Sequence, residues 1–426
     1  MQRKHFPFLI LAAMLAASIV AGCGEDEPDT PTPVTPDDTT KVDTTDTTSV
    51  DTDTVVIPVD STVYIKWTAS GATVEVAEAL SDQITYEVSG SNVTVTNANV
   101  TDEFQFVLSG SSDDGSFTYN GEYKATFQFN GLSLTSATGG AVDIQCGKRI
   151  KLILAEGTTN ALADASSGEQ KAAFNCQGHL EVSGSGTLDI AGNARHALRT
   201  KEYLQLKSST GAINITAAAA DGIHCGEFFQ MNGGALTLSG IAADGIQVET
   251  DAASEEELNG QFIMNGGSID LTMTAEDTKG IRLDAIDTIP DIVPHMQILA
   301  GTITVNLTAT ALGAKAIASD GNLTIGSDTT SPTVNVTVAA GVYTDPATDE
   351  ENRATGIKAG QTLTIAGGAT TVSATGAKAR GVRAATLVAT GGSLTVTNTG
   401  KKSQGIKLDN TFVSGQGGTV SGSFKY

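Results

Sequence analysis

The chain has 426 residues, with 47 Gly, aromatics at 5% and a formal net charge of −23. That length allows a large buried core, and the scarcity of aromatics predicts an aliphatic one. Net charge of this sign and size excludes a general nucleic-acid binder.

The N-terminus has the form of a processed leader. Arg3 and Lys4 precede an apolar run over 6–20, which closes in Val20-Ala21-Gly22-Cys23. This predicts a bacterial lipoprotein signal peptide over 1–22, with Cys23 as the lipidated new N-terminus. The run is too short to span a bilayer well. Several acyl chains on one Cys give stable anchoring to outer-membrane lipid. The acidic Gly24-Glu25-Asp26-Glu27 that follows resembles the export signal of Bacteroidetes surface lipoproteins, which implies exposure at the cell surface. Residues 23–59 then form an acidic Thr/Pro/Asp linker with almost nothing to bury. Between Gly24 and Asp60 lie 11 acidic residues and one Lys, so 10 of the 23 net negative charges sit here. Like charges extend such a linker.

Residues 60–140 are rich in strand-forming stretches without a clean repeat and are expected to form an N-terminal β cap and the first irregular rungs. Residues 141–426 repeat. A small residue followed by an apolar one recurs at Ala141-Val142, Ala173-Phe174, Ala197-Leu198, Gly222-Ile223, Gly245-Ile246, Gly280-Ile281, Ala316-Ile317, Gly356-Ile357, Gly381-Val382 and Gly405-Ile406. The spacings are 32, 24, 25, 23, 35, 36, 40, 25 and 24 residues. A recurring unit of 23–25, lengthened in places by insertions, marks a solenoid. Each unit holds three short alternating stretches, such as Ile246-Gln247-Val248, Leu204-Gln205-Leu206 and Leu236-Thr237-Leu238. Period-two alternation marks strands with one buried face. The expected fold is therefore all-β, a right-handed parallel β-helix of about ten rungs with three strands each. A β-propeller needs four strands and about 40 or more residues per blade, which these units are too short to supply. Of the four Cys, three (Cys146, Cys176, Cys225) remain after Cys23, without metal-ligand spacing, and are expected to be buried core residues.

The stretches "LILAEGTTNALADAS" (152–166) and "GHLEVSGSGTLDIAGNARHALRTKEYLQL", followed by the paired "DGI" rungs, resemble the bacterial β-helical carbohydrate-binding domain family over roughly 84–410. The resemblance implies a pectate-lyase-like shape, calcium binding and affinity for acidic polysaccharides such as polygalacturonate. Family rungs often pair two acids, as "KDDL" or "DDGI". Here the matching positions read Lys201-Glu202-Tyr203-Leu204, Gly226-Glu227-Phe228-Phe229, Ala220-Asp221-Gly222-Ile223 and Lys279-Gly280-Ile281, with several acids replaced.

Function is expected on the outward side of the head strands. The residue after each head apolar gives one column: Asp143, Asn175, Arg199, His224, Gln247, Arg282, Ala318, Lys358, Arg383 and Lys407. Two residues before the head lies a neighbouring column: His196, Asp221, Asp244, Lys279, Lys315, Thr355, Arg380 and Gln404. Arg199, Arg282, Lys358, Arg380, Arg383 and Lys407 are the candidate ligand contacts, since Arg and Lys meet successive carboxylates along a uronate chain. Solvated polar faces that block edge aggregation are the competing explanation. One Trp and few aromatics in the rungs disfavour a neutral glycan, which usually needs stacking platforms. Two insertions, Glu249–Gly260 and Asp284–His295, follow head strands and are expected to wall one edge of the strip; a third, Tyr343–Arg353, follows a third strand. Asp221, Asp244, Glu249 and Asp251 are candidate calcium ligands, with Asp287 and Asp291 among further loop acids, because hard cations need convergent oxygens. The leading expectation is a non-catalytic surface lipoprotein that captures acidic polysaccharide. The alternatives are a uronate lyase, with Arg282 near Asp284 as base, and an adhesin or spacer.

Overall fold

The computed structural model of the chain describes residues 61–284, 292–415 and 417–426. Cys23, the signal stretch, the linker, and Asp287 and Asp291 lie outside the described residues. The described residues form a mostly parallel β-helix in which most strands pair with the one a turn away. The head ladder runs through Val142–Gln145, Ala172–Cys176, His196–Thr200, Ile223–Cys225, Ile246–Val248, Lys279–Leu283 and Lys315–Ser319 into the first halves of Thr355–Ile365 and Arg380–Ala389, then Gln404–Leu408. The second ladder includes Leu180–Ser183, Leu204–Leu206, Phe228–Met231, Gln261–Met264 and His295–Ile298. The third includes Thr187–Gly192, Ala212–Ala218, Ala235–Leu238, Ser268–Met273 and Thr302–Leu307. Parallel pairing already begins at Thr62–Thr68, whose partner is Phe104–Ser112, and continues with Ser91–Asn97 on Gly115–Gly121.

Burial follows the alternation. Ile223, Ile246, Ile281, Ile317, Ile357, Val382 and Ile406 stand in one head-ladder column, all fully buried. Each such side chain contributes about 1.5–3 kcal/mol on burial. Asn160, in the "TTN" element, serves the stacking directly. Its Oδ1 accepts the Leu132 N–H (2.9 Å) of the turn before, and its Nδ2 donates to the Thr187 carbonyl (3.0 Å) of the turn after. A buried amide satisfied on both sides fixes the register of three successive turns.

The core is mainly aliphatic along the later turns and mixed with aromatic rings at the N-terminal end. At the N-terminal end, Phe106, Phe117, Tyr119 and Phe127 pack with ring centroids 5.0–5.8 Å apart. The later turns add Phe174, Phe228, Phe229 and Phe262 to the buried rings, with Phe229 stacked on Phe262 at 5.0 Å. Two antiparallel hairpins close the N-terminal end: Thr62–Thr68 with Gly71–Val76, and Ile84–Ser89 with Ser91–Asn97. Trp67 is buried there and donates its indole N–H to the Ser91 carbonyl at 2.7 Å. Cys146, Cys176 and Cys225 are free and buried.

The Gly of each Ala-Asp-Gly-Ile repeat does not make a turn. It allows a close approach between rungs. A Cβ on Gly245 would lie 2.4 Å from the Gly280 carbonyl oxygen and 2.4 Å from Leu271 Cδ1, and one on Gly222 would lie 2.7 Å from the Gly245 oxygen. Gly245→Ala is therefore expected to cost about 1–3 kcal/mol through overpacking, measurable as a lowered denaturation midpoint. An unchanged midpoint would show that the rungs can separate without cost.

Candidate functional site

The strand register lays the outward head residues in one continuous column. Asp143 pairs with Asn175, Asn175 with Arg199, Arg199 with His224, His224 with Gln247, Gln247 with Arg282, Arg282 with Ala318, Ala318 with Lys358, Lys358 with Arg383, and Arg383 with Lys407. Beside it, Lys279 pairs with Lys315, Lys315 with Thr355, Thr355 with Arg380, and Arg380 with Gln404. Parallel ladders repeat every 4.7–4.9 Å or so, so these side chains project at rung spacing.

On these columns lies a groove of about 420 Å³, lined by seven basic residues: Lys279, Arg282, Lys315, Arg353, Lys358, Arg380 and Arg383. Three acids, Asp284, Asp320 and Glu351, also line it, which leaves a local charge of 7 − 3 = +4 in a chain whose total is −23. Of the candidate contacts, the structure gathers Arg282, Lys358, Arg380 and Arg383 here. Arg199 and Lys407 stand on the same column outside the lining. Arg199 donates to Asn175 Oδ1 (3.1 Å), and Lys407 Nζ donates to Asp409 Oδ1 (3.2 Å) and the Leu408 carbonyl (2.7 Å). The expected wall also differs. The Glu249–Gly260 insertion is absent from the lining. The third insertion folds into an antiparallel hairpin, Val342–Thr344 with Glu351–Arg353, and supplies Glu351, Asn352 and Arg353. Its alternating Tyr343 and Thr344, followed by acids and Arg353, was the only sequence signal for this wall.

The cations are held unequally. Arg282 donates to Asp244 Oδ2 (2.8 Å) and to Asp284 Oδ1. Burial alone would favour its neutral form, but the two carboxylates outweigh it and push its pKa upward. An arginine so held cannot serve as the base of a lyase. Lys315 Nζ, on a mostly covered side chain, reaches Asp277 (3.1 Å), and Lys358 Nζ reaches Asp320 (3.2 Å) in a more exposed pair. Arg380 has no carboxylate partner among the described contacts, and its Nε donates to Gln404 Oε1 at 3.1 Å. Burial, then the neighbouring Arg383 and Arg353, pull it down to about 10. It is the groove residue with most to gain from an incoming anion.

The four candidate calcium ligands do not form one oxygen cage. Asp221 Oδ2 lies 3.2 Å from His196 Nδ1 and 3.0 Å from His224 Nδ1, while its Oδ1 accepts the Asp244 N–H (3.0 Å). Asp244 accepts the Lys279 N–H (2.7 Å) and the Arg282 guanidinium. Glu249 faces His224 Nε2 at 3.7 Å. Asp251 caps its own loop by accepting the Ala253 N–H (2.8 Å). Burial opposes charge on His224, but Asp221 and Glu249 outweigh it and hold the imidazole up to about 9. These residues do not fit a calcium ion, which takes six to eight oxygens. Among the described residues, only His196, Asp221 and His224 bring three metal-ligating atoms together.

A second charged cluster lies at the start of the second ladder. His179 stacks on Tyr203 (4.1 Å), which stacks on Phe228 (4.5 Å). His179 Nε2 sits 2.8 Å from Glu202 Oε2 and 3.8 Å from Glu227 Oε2, at ion-pair distance without hydrogen-bond alignment. Burial pushes the Glu227 carboxyl up. Burial also opposes charge on His179, but the two glutamates outweigh it and raise the imidazole above its ordinary value.

A family model described as "Carbohydrate-binding domain-containing protein" matches residues 89–405. The chain belongs to this family of carbohydrate-binding domain proteins. Among solved structures, it is similar to the polysaccharide lyase-like protein from C. thermocellum, seen as a gadolinium derivative, at 18% identity. That match covers 64% of this chain and 99% of the other, with a TM-score of 0.49. No curated protein matches the chain.

The raised His179 sets a pH dependence. Its charge stabilises the fold fully below the unfolded imidazole value of about 6.5, and that stability is lost as pH rises through the higher folded value. The thermal midpoint is expected to fall as pH rises above about 6.5, and His179→Gln should remove part of this fall, the rest coming from the raised His224. An identical slope in the variant would exclude His179 as its source.

Proposed function

We propose that the protein captures an anionic polysaccharide of the uronate class along the outward side of the head ladder, at the groove between Lys279 and Arg383. The single observation behind this is the local excess of cations, +4 in about 420 Å³, within an acidic chain. The family's carbohydrate binding supplies the polymer, and the charge supplies its class. Arg380 and Arg383 carry planar donor forks suited to carboxylates. Lys358 and Lys315 add point charges on adjacent turns. Residues from hairpin Val342–Arg353 close one side, so a chain lying along the ladder is held against a wall. In this reading the acylated Cys23 and the acidic linker carry the domain on the outer membrane, facing outward.

A second reading, uronate elimination by a lyase, has one observation in its favour. Arg380, pulled down to about 10, is shifted in the direction that a proton-abstracting arginine requires.

The test is binding to polygalacturonate and alginate against neutral glucans over a range of salt. Each exposed ion pair contributes only about 0–1 kcal/mol, so several must be removed together. The triple variant Lys358→Gln, Arg380→Gln, Arg383→Gln is expected to bind at least about tenfold more weakly, or about 1.4 kcal/mol. Wild-type affinity should fall steeply as salt screens the groove. Equal affinity for neutral glucans, or no salt dependence, would contradict the proposal. Unsaturated-uronate absorbance appearing with wild type and absent with Arg380→Gln would establish the lyase reading.

A further inference from the structure

We propose that His196, Asp221 and His224 form a binding site for one transition-metal ion of the zinc class, on the head ladder N-terminal to the basic groove. Three ligands converge from two adjacent turns: His196 on one head strand, Asp221 and His224 around the next. The Asp221 Oδ2 to imidazole Nδ1 separations are 3.2 and 3.0 Å. Ligands around an ion at about 2.0–2.1 Å stand roughly 2.9–3.4 Å apart, which matches both Asp–His separations, and all three ligand atoms lie within 4.8 Å of one another.

The contact between His196 and Asp221 needs a cation between its two acceptors. His196 Nδ1 accepts the backbone N–H of Asp221 at 3.2 Å, so that nitrogen presents a lone pair. The carboxylate Oδ2 lies equally close to the same nitrogen. Two acceptors facing each other repel unless a cation lies between them. Placing the proton on Nδ1 relieves this contact but strands the Asp221 N–H, a buried donor. A metal ion there takes the same lone pair from the Asp221 N–H, so it relieves the contact as a proton does, and the convergence of the three ligands carries the proposal.

The surroundings hold the ligands in place. Asp221 is buried, and its other oxygen is fixed by the Asp244 N–H. His224 turns Nδ1 toward Asp221 and Nε2 toward Glu249, at 3.7 Å. A carboxylate on the far nitrogen of a ligating imidazole orients the ring and raises its basicity. Two nitrogens and one carboxylate oxygen suit zinc, cobalt or nickel and not calcium. Three protein ligands leave a position for water or for an oxygen of a bound ligand.

The experiment titrates the untagged full-length chain with Co²⁺, following the visible ligand-field absorption, with Ca²⁺ and Zn²⁺ as competitors. One Co²⁺ per chain is expected, displaced by Zn²⁺ and untouched by excess Ca²⁺. His196→Gln and His224→Gln should each abolish the band, and Glu249→Gln should weaken binding about tenfold. Circular dichroism in the absence of metal checks that each variant is folded. Zn²⁺ should also raise the thermal midpoint of the wild type and leave that of the double histidine variant unchanged. Absence of a band, displacement by Ca²⁺, or undiminished binding in a folded double histidine variant would overturn the site. None of these readouts involves a polysaccharide, so they stand or fall separately from the groove.

Discussion

Each head strand hydrogen-bonds to the next in an unbroken parallel register, and this constraint governs the rest of the molecule. Because the register is kept, a position inside one rung lies over the same position in the next. Inward, that rule stacks Ile on Ile and leaves no room for a Cβ at Gly245. Outward, it converts a scattered set of residues into straight columns. A charge chosen at one repeat therefore acts beside the charge chosen at the next, and the surface chemistry changes only as fast as the repeats do.

Along the head column that chemistry reverses sign. Near Asp221 and Asp244 the carboxylates are absorbed by imidazoles, backbone N–H groups and Arg282. Past Arg282 the column carries Lys358 and Arg383, flanked by Lys279, Lys315 and Arg380. The local acids Asp277, Asp320 and Asp284 neutralise part of this excess but not Arg380, which is half-buried beside Arg383 and Arg353. Stacking cations at rung spacing costs stability in an isolated fold. A polyanion lying along the ladder would relieve that repulsion over several rungs at once, each contact weak and the sum appreciable.

The solenoid and its outward columns were legible in the sequence because both follow from period-two alternation and a repeat length. The position of Arg383, the neighbour of Lys358 across the register, could be counted off without coordinates, as could Lys279 over Lys315. What was not legible depended on departures from the repeat. The hairpin Val342–Arg353 interrupts the pattern, so neither its fold nor the approach of Arg353 to Arg380 follows from spacing. The pairing of His196 with His224 was hidden because the two occupy different columns and meet diagonally across turns. The aromatic packing of Phe106, Phe117, Tyr119 and Phe127 escaped for a similar reason, since overall composition says nothing of where the few rings gather.

The central claim is that the groove between Lys279 and Arg383 is where the polymer lies. Hydrogen exchange with and without a short oligogalacturonate tests it most directly. The account expects added protection confined to the head strands over 279–284, 315–320, 355–359 and 380–384 and to hairpin Val342–Arg353. Protection at the second or third ladder, or at the N-terminal hairpins, with the groove unchanged, would contradict it.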